Sequence, residues 1–394
     1  MEIQTLKVKG FRSLKGITWN PGKINLLIGR NGSGKSNILR LLELLVAAAD
    51  GKLSRYVQSS GGMEAIVWDG QLSSISVDLT TSPVGLEEGP EVYSFELQRL
   101  GQSSGFQFGN ESLVNFSNVQ KGKKDHPFKL LERDGNRAVV FDEDEHRLNP
   151  PDESIRQDET LLSVAGVPLG SNRRTYMFRK ELSEISVYQD IHVNRDALIR
   201  QPTVTRFEKR LAVDGQNLVS VLHTLYTSDR TFRTRIDEGM YAAFGDQYEE
   251  LTFPPAADQR IQMRVQWKGL RNAQSAADLS DGTLRFLLLM TILASPDIAP
   301  VVAIDEPEAG LHPEMLPIVA EYALEASNHS QIIFTTHSPE FLSAFRDFIP
   351  TTSVLTWNNG ETELRNLNSV DLTTWLKQYS LGALFVSGEL EDMK

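Results

Sequence analysis

The sequence predicts an α/β protein with a mixed core sheet, an antiparallel β subdomain and an inserted helical lobe. Three observations carry that expectation. A strand, a glycine-rich turn and an apolar helix follow one another between Lys23 and Ala49. Short period-two runs occupy residues 63–141, and helix alternates with strand from Gly282 to Ala344. The last rhythm calls for a parallel sheet with its ligand at the carboxyl ends of the strands.

From the N-terminus, residues 2–9 alternate as a strand, and Gly10 and Gly16 bracket a short connection. Lys23–Ile28 reads as a second strand. Ser36–Ala49 opens polar and continues ILRLLELLVAAA, apolar on most sides and therefore expected to be buried. The runs MEAIVW, SISVDL, VYSFELQ, FKLLER and RAVVFD are separated by Gly, Pro, Ser and Asn, as in antiparallel hairpins. Residues 142–160, acidic and proline-containing, read as a surface loop. Helical periodicity returns between about 157 and 250, clearest in ELSEISVYQDI and NLVSVLHTLY, without a sustained heptad. Leu251–Trp267 is strand-like. Helix, strand, helix, strand and helix then follow at Gly282–Ala294, Val301–Ile304, Pro313–Ser327, Gln331–Thr335 and Pro339–Ala344. The expected division is 1–156, 157–250 for the helical lobe, and 251–394.

The 394 residues have room for two or three average domains, or one large domain with an insertion. No apolar run approaches the roughly 18 residues of a membrane span, and MEIQTLKVKGF lacks the core of a signal peptide. Zero cysteines exclude disulfides, thiolate metal sites and a cysteine nucleophile, and fit a cytoplasmic location. A net charge of −12 argues against coating long DNA over the whole surface. Residues 171–235 nevertheless hold twelve Lys/Arg against seven Asp/Glu, among them Arg173, Arg174, Arg179, Lys180, Arg206, Lys209 and Arg210. That segment is either a solvated face paired with its own acids or a contact for nucleic acid or an acidic partner.

Gly29-Arg30-Asn31-Gly32-Ser33-Gly34-Lys35-Ser36 fits G-x-x-x-x-G-K-[ST], a P-loop. Its glycines let backbone N–H groups turn inward onto phosphate oxygens, and the following helix adds its positive end. Lys35 is expected at the β and γ phosphates of ATP, and Ser36 on Mg²⁺. A chance match in a chain this long has odds of about 1%. Val301–Glu306 has the form of a Walker B strand, bringing Asp305 to the metal and Glu306 to the attacking water. Alone, four apolar residues before two acids more often mark a strand entering an exposed turn. His337, in Thr335-Thr336-His337-Ser338 at the end of a strand, could reach the γ-phosphate or the water. Leu279-Ser280-Asp281-Gly282-Thr283 starts a helix with an N-cap serine, which offers a hydroxyl and free N–H groups to an anion.

The order of these motifs resembles the ABC ATPase series of Walker A, signature, Walker B and switch histidine. More closely, the chain is similar to the RecF/SMC-like and OLD-type branch. The residues that carry this are Lys7–Leu14, Ile28–Asn37, Asp214–Leu218, Leu279–Phe286, Asp305–Pro313 and Tyr379–Leu384. The resemblance implies an ABC-ATPase head of the P-loop NTPase class. Arg12, Asn31, Gly32, Ser33, Gly34, Lys35, Ser36 and Asn37 would contact nucleotide. Ser280, Asp281 and Gly282 would meet the γ-phosphate held by the opposite subunit of a homodimer. Ala309–His312 would be the D-loop, and Gln58 and Gln157 are candidates for the Q-loop. Glu306, His337 and Lys35 would be catalytic, and Ser36 and Asp305 would hold Mg²⁺.

Two departures shape the functional expectation. Long coiled-coil arms, typical of the DNA-repair relatives, are missing. The roughly fifty residues after the His337 region carry no second acidic set like that of a TOPRIM nuclease domain. The leading reading is a sensor ATPase acting on a separate TOPRIM or HNH nuclease in anti-phage defence, as a dimer or higher assembly. A DNA-binding clamp is the alternative. A transporter subunit fits less well, because its signature would typically read L-S-G-G-Q.

Overall fold

A computed structural model describes residues 1–70, 72–85, 88–101, 104–117, 126–151, 154–168, 170–345, 348–367, 372, 375–376 and 379–392. The chain divides into two compact units, Met1–Ile185 with Thr351–Leu367, and Ser186–Pro350 with Asn368–Lys394.

The first unit opens with β1 (Ile3–Phe11), β2 (Leu14–Trp19), β3 (Ile24–Ile28) and helix α1 (Lys35–Ala49). There follow β4 (Ser74–Thr81), β5 (Glu91–Arg99), β6 (Phe106–Asn115), β7 (Phe128–Asp134), β8 (Arg137–Asp142), β9 (Arg147–Asn149) and helix α2 (Arg173–Ser183). All of these strands except β3 form one antiparallel sheet, in the order β2–β1–β4–β5–β6–β7–β8–β9. This is the antiparallel subdomain read from the period-two runs. β9 also puts a short strand into the stretch expected to be loop. One face of the sheet buries Tyr93, Phe95, Leu97, Phe108 and Leu113, and Phe178 of α2 packs 5.8 Å ring to ring from Tyr93.

A buried carboxylate ties this sheet to α1. Glu111 accepts from the Tyr93 hydroxyl at 2.9 Å and from Leu161 and Leu162 N–H at 2.6 and 2.9 Å, so it caps the helix Leu161–Ala165. Thr160, the N-cap of that helix, donates to the carbonyl of Ala48 at 2.7 Å, at the end of α1. Burial pushes the Glu111 carboxyl above its usual range. Separately, β3 pairs in parallel with strand Thr351–Asn358, which turns back as an antiparallel hairpin into Glu361–Asn366.

MEAIVW is not a strand. Met63–Ile66 is a single helical turn entered through Gly61 and Gly62, at φ 95° and 83°. Over six residues, one buried helical turn and an alternating strand leave the same apolar pattern. Val67 makes an isolated bridge to Phe11.

The second unit contains β10 (Ser186–Tyr188), α3 (Leu218–Ser228), α4 (Arg230–Phe244), α5 (Asp281–Ala294), β11 (Val301–Asp305), α6 (Leu316–Ala326) and β12 (Gln331–Thr336). β10, β11 and β12 run parallel in that order. ELSEISVYQDI, expected as helix, therefore splits: α2 stops at Ser183 and the β-branched and aromatic Ile185–Tyr188 turn into the sheet. The helices of 157–250 are shared between the two units. Short antiparallel strands between Tyr248 and Ser275 match the strand-like section. Among the described residues, no helix is long and apolar enough to cross a membrane.

Candidate nucleotide site

β3 is buried along its whole length and ends in the glycine-rich loop. Gly29, Gly32 and Gly34 have φ of 152°, 82° and 102°. A Cβ on Gly29 would fall 2.3 Å from the Leu355 carbonyl, and one on Gly34 would fall 2.1 Å from the Thr362 hydroxyl. Glycine is thus required both by conformation and by space. Below the loop, the Thr362 hydroxyl shares a 2.7 Å hydrogen bond with Ser13 Oγ and donates to the Ser33 carbonyl at 3.0 Å. Asn37 donates to Ser13 Oγ at 2.7 Å. Its amide is engaged in buttressing the loop.

The Lys35 ammonium is buried and donates to the carbonyls of Gly29 at 2.7 Å and Arg30 at 3.2 Å. It lies in the loop it would leave to meet a phosphate. The Ser33 hydroxyl is buried without a hydrogen-bond partner, while Asn31 and Gly32 are exposed and Ser36 is half-buried at the start of α1. Arg12 adopts φ 49° and donates its N–H to Ile66 at 2.7 Å. Its guanidinium lies 5.8 Å from the Phe11 ring, its Nε has no partner, and burial followed by the charge of Arg40 lowers its pKa. Gln58 and Gln157 line one cleft of about 340 Å³ with Ser54, Phe106 and Asp158.

In the second unit, the parallel register sets Asp305 against Thr335, whose hydroxyl donates to the Asp305 carboxylate. Glu306 leaves the strand at φ 44°, an uncommon conformation for a non-glycine residue. Its N–H donates to the Thr335 carbonyl at 3.1 Å, and Arg285 of α5 donates to its own carbonyl at 2.9 Å. The outcome is a Glu306 Oε1 to His337 Nδ1 contact of 2.9 Å, with both side chains partly exposed. The acid and the histidine found by sequence therefore meet. Arg285 was not singled out by sequence: burial lowers its pKa, and Glu308, Glu306 and Asp305 oppose that shift.

Ser280 caps α5, accepting from Thr283 N–H at 3.1 Å. Gly282 leaves no room for a Cβ, which would sit 2.6 Å from the Gly310 carbonyl of the expected D-loop. The Asp281 carboxylate accepts from Arg200, whose guanidinium is buried. Arg200 also donates to the carbonyls of Val193, Asn194, Ala276, Ala277 and Leu279. A single arginine with no motif around it gave no signal of this in sequence.

The basic segment is partly committed to the fold. Arg179 donates to Ala49 at 2.9 Å and also to Gly166, and Arg210 pairs with Asp297 at 3.2 Å. Arg174 lies 5.2 Å from the ring of Phe128.

The loop residues fit the phosphates of a nucleotide. The loop has no room for a side chain at Gly29 or Gly34, it holds an orphaned buried hydroxyl on Ser33, and it begins a helix. Among the described residues, no group of three or more His, Cys, Asp or Glu side chains could hold a metal by itself.

A family model described as "AAA domain, putative AbiEii toxin, Type IV TA system" matches residues 24–343. An OLD nuclease of Thermus scotoductus (strain ATCC 700910 / SA-01) is 23% identical over 349 residues, 87% of this chain and 60% of the relative. The chain thus spans about 60% of the length of that curated relative. An SMC head bound to the C-winged helix domain of ScpA has a TM-score of 0.57 at 14% identity, covering 95% of this chain and 100% of that one. An SMC head with an extended coiled coil, bound to the C-terminal domain of ScpA from Pyrococcus furiosus, gives 0.56 at 14% over 96% and 99%. These two likenesses show the fold, that of an SMC-type ATPase head.

Proposed function

The chain belongs to that AAA-domain family, and from this premise we propose that it hydrolyses ATP and dimerises around it to control a separate effector. The observation that carries the reading is the Glu306–His337 pair, held 2.9 Å apart at the ends of parallel strands in a chain that also has a P-loop. Glu306 orients and polarises the attacking water. His337, bonded through Nδ1 to Glu306, turns Nε2 toward the γ-phosphate or the water. Lys35 leaves the loop carbonyls to neutralise the β and γ phosphates, and the Ser33 hydroxyl donates to a phosphate oxygen. Ser36 and Asp305 would hold Mg²⁺, which when bound would supply positive charge against the phosphates during transfer.

Ser280 and Gly282, with the N-terminus of α5, would bind the γ-phosphate held by a second copy. Nucleotide state would then set whether two copies are closed or open. The relative's name supports a nuclease as that effector, and we propose one of TOPRIM or HNH type, acting in anti-phage defence.

Glu306→Gln should bind ATP, turn over 10²–10⁴-fold more slowly, as roughly expected for loss of a general base, and scatter light as a dimer with ATP. A variant that stays monomeric with ATP would sink the shared-site reading. Ser280→Arg should bind ATP and lose turnover; retained turnover would place the whole reaction within one chain. Co-purification with the products of neighbouring genes, and phage plating of wild type against Lys35→Ala, test the effector and the defence role. The DNA-clamp alternative predicts ATP-dependent duplex binding with a steep salt slope, lost on charge reversal at Arg173, Arg206 and Lys209.

A further inference from the structure

Glu308 lies two residues past Glu306, and its side chain is only 9% exposed. Its Oε1 accepts from the Thr336 hydroxyl at 2.6 Å and from the His337 N–H at 3.4 Å. Thr336 Oγ1 in turn accepts from Ser338 N–H at 3.0 Å, so one carboxylate oxygen grips the turn that leaves β12. Oε2 is buried with no hydrogen-bond partner. Burial pushes this carboxyl above its usual range, against the pull of the Thr336 hydroxyl. A buried carboxylate with an unsatisfied oxygen costs stability that an apolar side chain would spare. Its bonds go to the residue that carries the imidazole and to the one before it.

We propose that Glu308 is a positioning residue for hydrolysis, gripping the Thr336–His337 turn so that the imidazole stays on Glu306. The proposal rests on the ATPase reading above. It adds that the Glu306–His337 geometry is set by a neighbouring carboxylate and not by the strand end alone. Loss of the grip leaves the phosphate loop intact, so substrate binding and turnover should separate.

The test compares Glu308→Ala, Glu308→Gln and Thr336→Val with wild type and Glu306→Gln. Steady-state ATP turnover is measured, together with ¹⁵N-histidine spectra of the nucleotide-free full chain, in which His337→Asn identifies the His337 signal. Glu308→Ala should lower kcat about tenfold or more, the scale of a displaced catalytic group, with KM within about threefold. Glu308→Gln keeps an oxygen acceptor for both donors and should hold kcat within about threefold. Glu308→Ala and Thr336→Val should both move the His337 resonance and leave the other histidines in place.

Wild-type kcat in Glu308→Ala, or an unmoved His337 signal, overturns the proposal. So does a rise in KM that tracks the loss of kcat, with Glu308→Gln no better than Glu308→Ala. Wild-type turnover in Glu306→Gln would instead overturn the hydrolytic reading, and the nucleotide-free spectra would still decide the role of Glu308.

Discussion

The phosphate loop and the ends of β11 and β12 are built on opposite economies of structure. In the loop the backbone is the proposed working surface, and side chains such as Ser13, Thr362 and Asn37 brace it from below. At the strand ends, side chains are the proposed working groups. There Thr335 and Arg285 hold Asp305 and Glu306 in place. The loop therefore depends on the absence of atoms, and the strand ends on the presence of particular ones. A single methyl should break the first region, whereas an isosteric exchange in the second should keep the shape and remove the chemistry.

Gly34→Ala tests the loop most severely. It places a Cβ against the Thr362 hydroxyl at φ 102°, so we expect a loss of about 3 kcal/mol or more from strain and overpacking. Urea unfolding reads the stability, and calorimetry should find ATP binding abolished. Near-normal stability would show that the loop yields, which would blur the contrast.

Arg200→Ala comes next. It strips donors from five carbonyls and the guanidinium partner from the Asp281 carboxylate. A cost of about 2–4 kcal/mol is expected, since buried acceptors are left unmet. ATP binding at the loop should survive, and ATP-dependent dimerisation should weaken. Intact dimerisation would detach Arg200 from the signature helix.

Lys35→Ala should cost ATP roughly 1.5–3 kcal/mol of affinity, the scale of a hydrogen bond to a charged group, or about ten- to hundredfold. The melting temperature should change little. A large fall would mean that the 2.7 Å bond to the Gly29 carbonyl matters more to the fold than to the ligand. Ser280→Ala should be mildest, about 1 kcal/mol for a lost N-cap. Turnover falling far beyond that figure would show that the hydroxyl contacts nucleotide as well as Thr283.

The motifs were legible because their chemistry demands particular residues at fixed spacing. The P-loop needs glycine where a Cβ would collide, and a lysine and serine where a helix begins. The apolar run Val301–Ile304 before Asp305 and Glu306 marks a buried parallel strand. Where only local pattern spoke, two readings went astray. MEAIVW and ELSEISVYQDI carry apolar spacing that helix and strand can share over so few residues, and packing chose between them.

The sequence alone therefore determined which groups are candidates to meet a phosphate and a metal, since those demands are local and chemical. Only the tertiary structure decided that Glu306 and His337 touch, and that Arg200, Arg285 and Glu308 hold their surroundings. Apart from the bonds of Arg200 to Val193 and Asn194, those contacts join residues from about 20 to about 80 positions apart. Their partners are mostly backbone carbonyls and N–H groups. Every residue has the carbonyl and all but proline the N–H, so no sequence pattern announces which ones will be used.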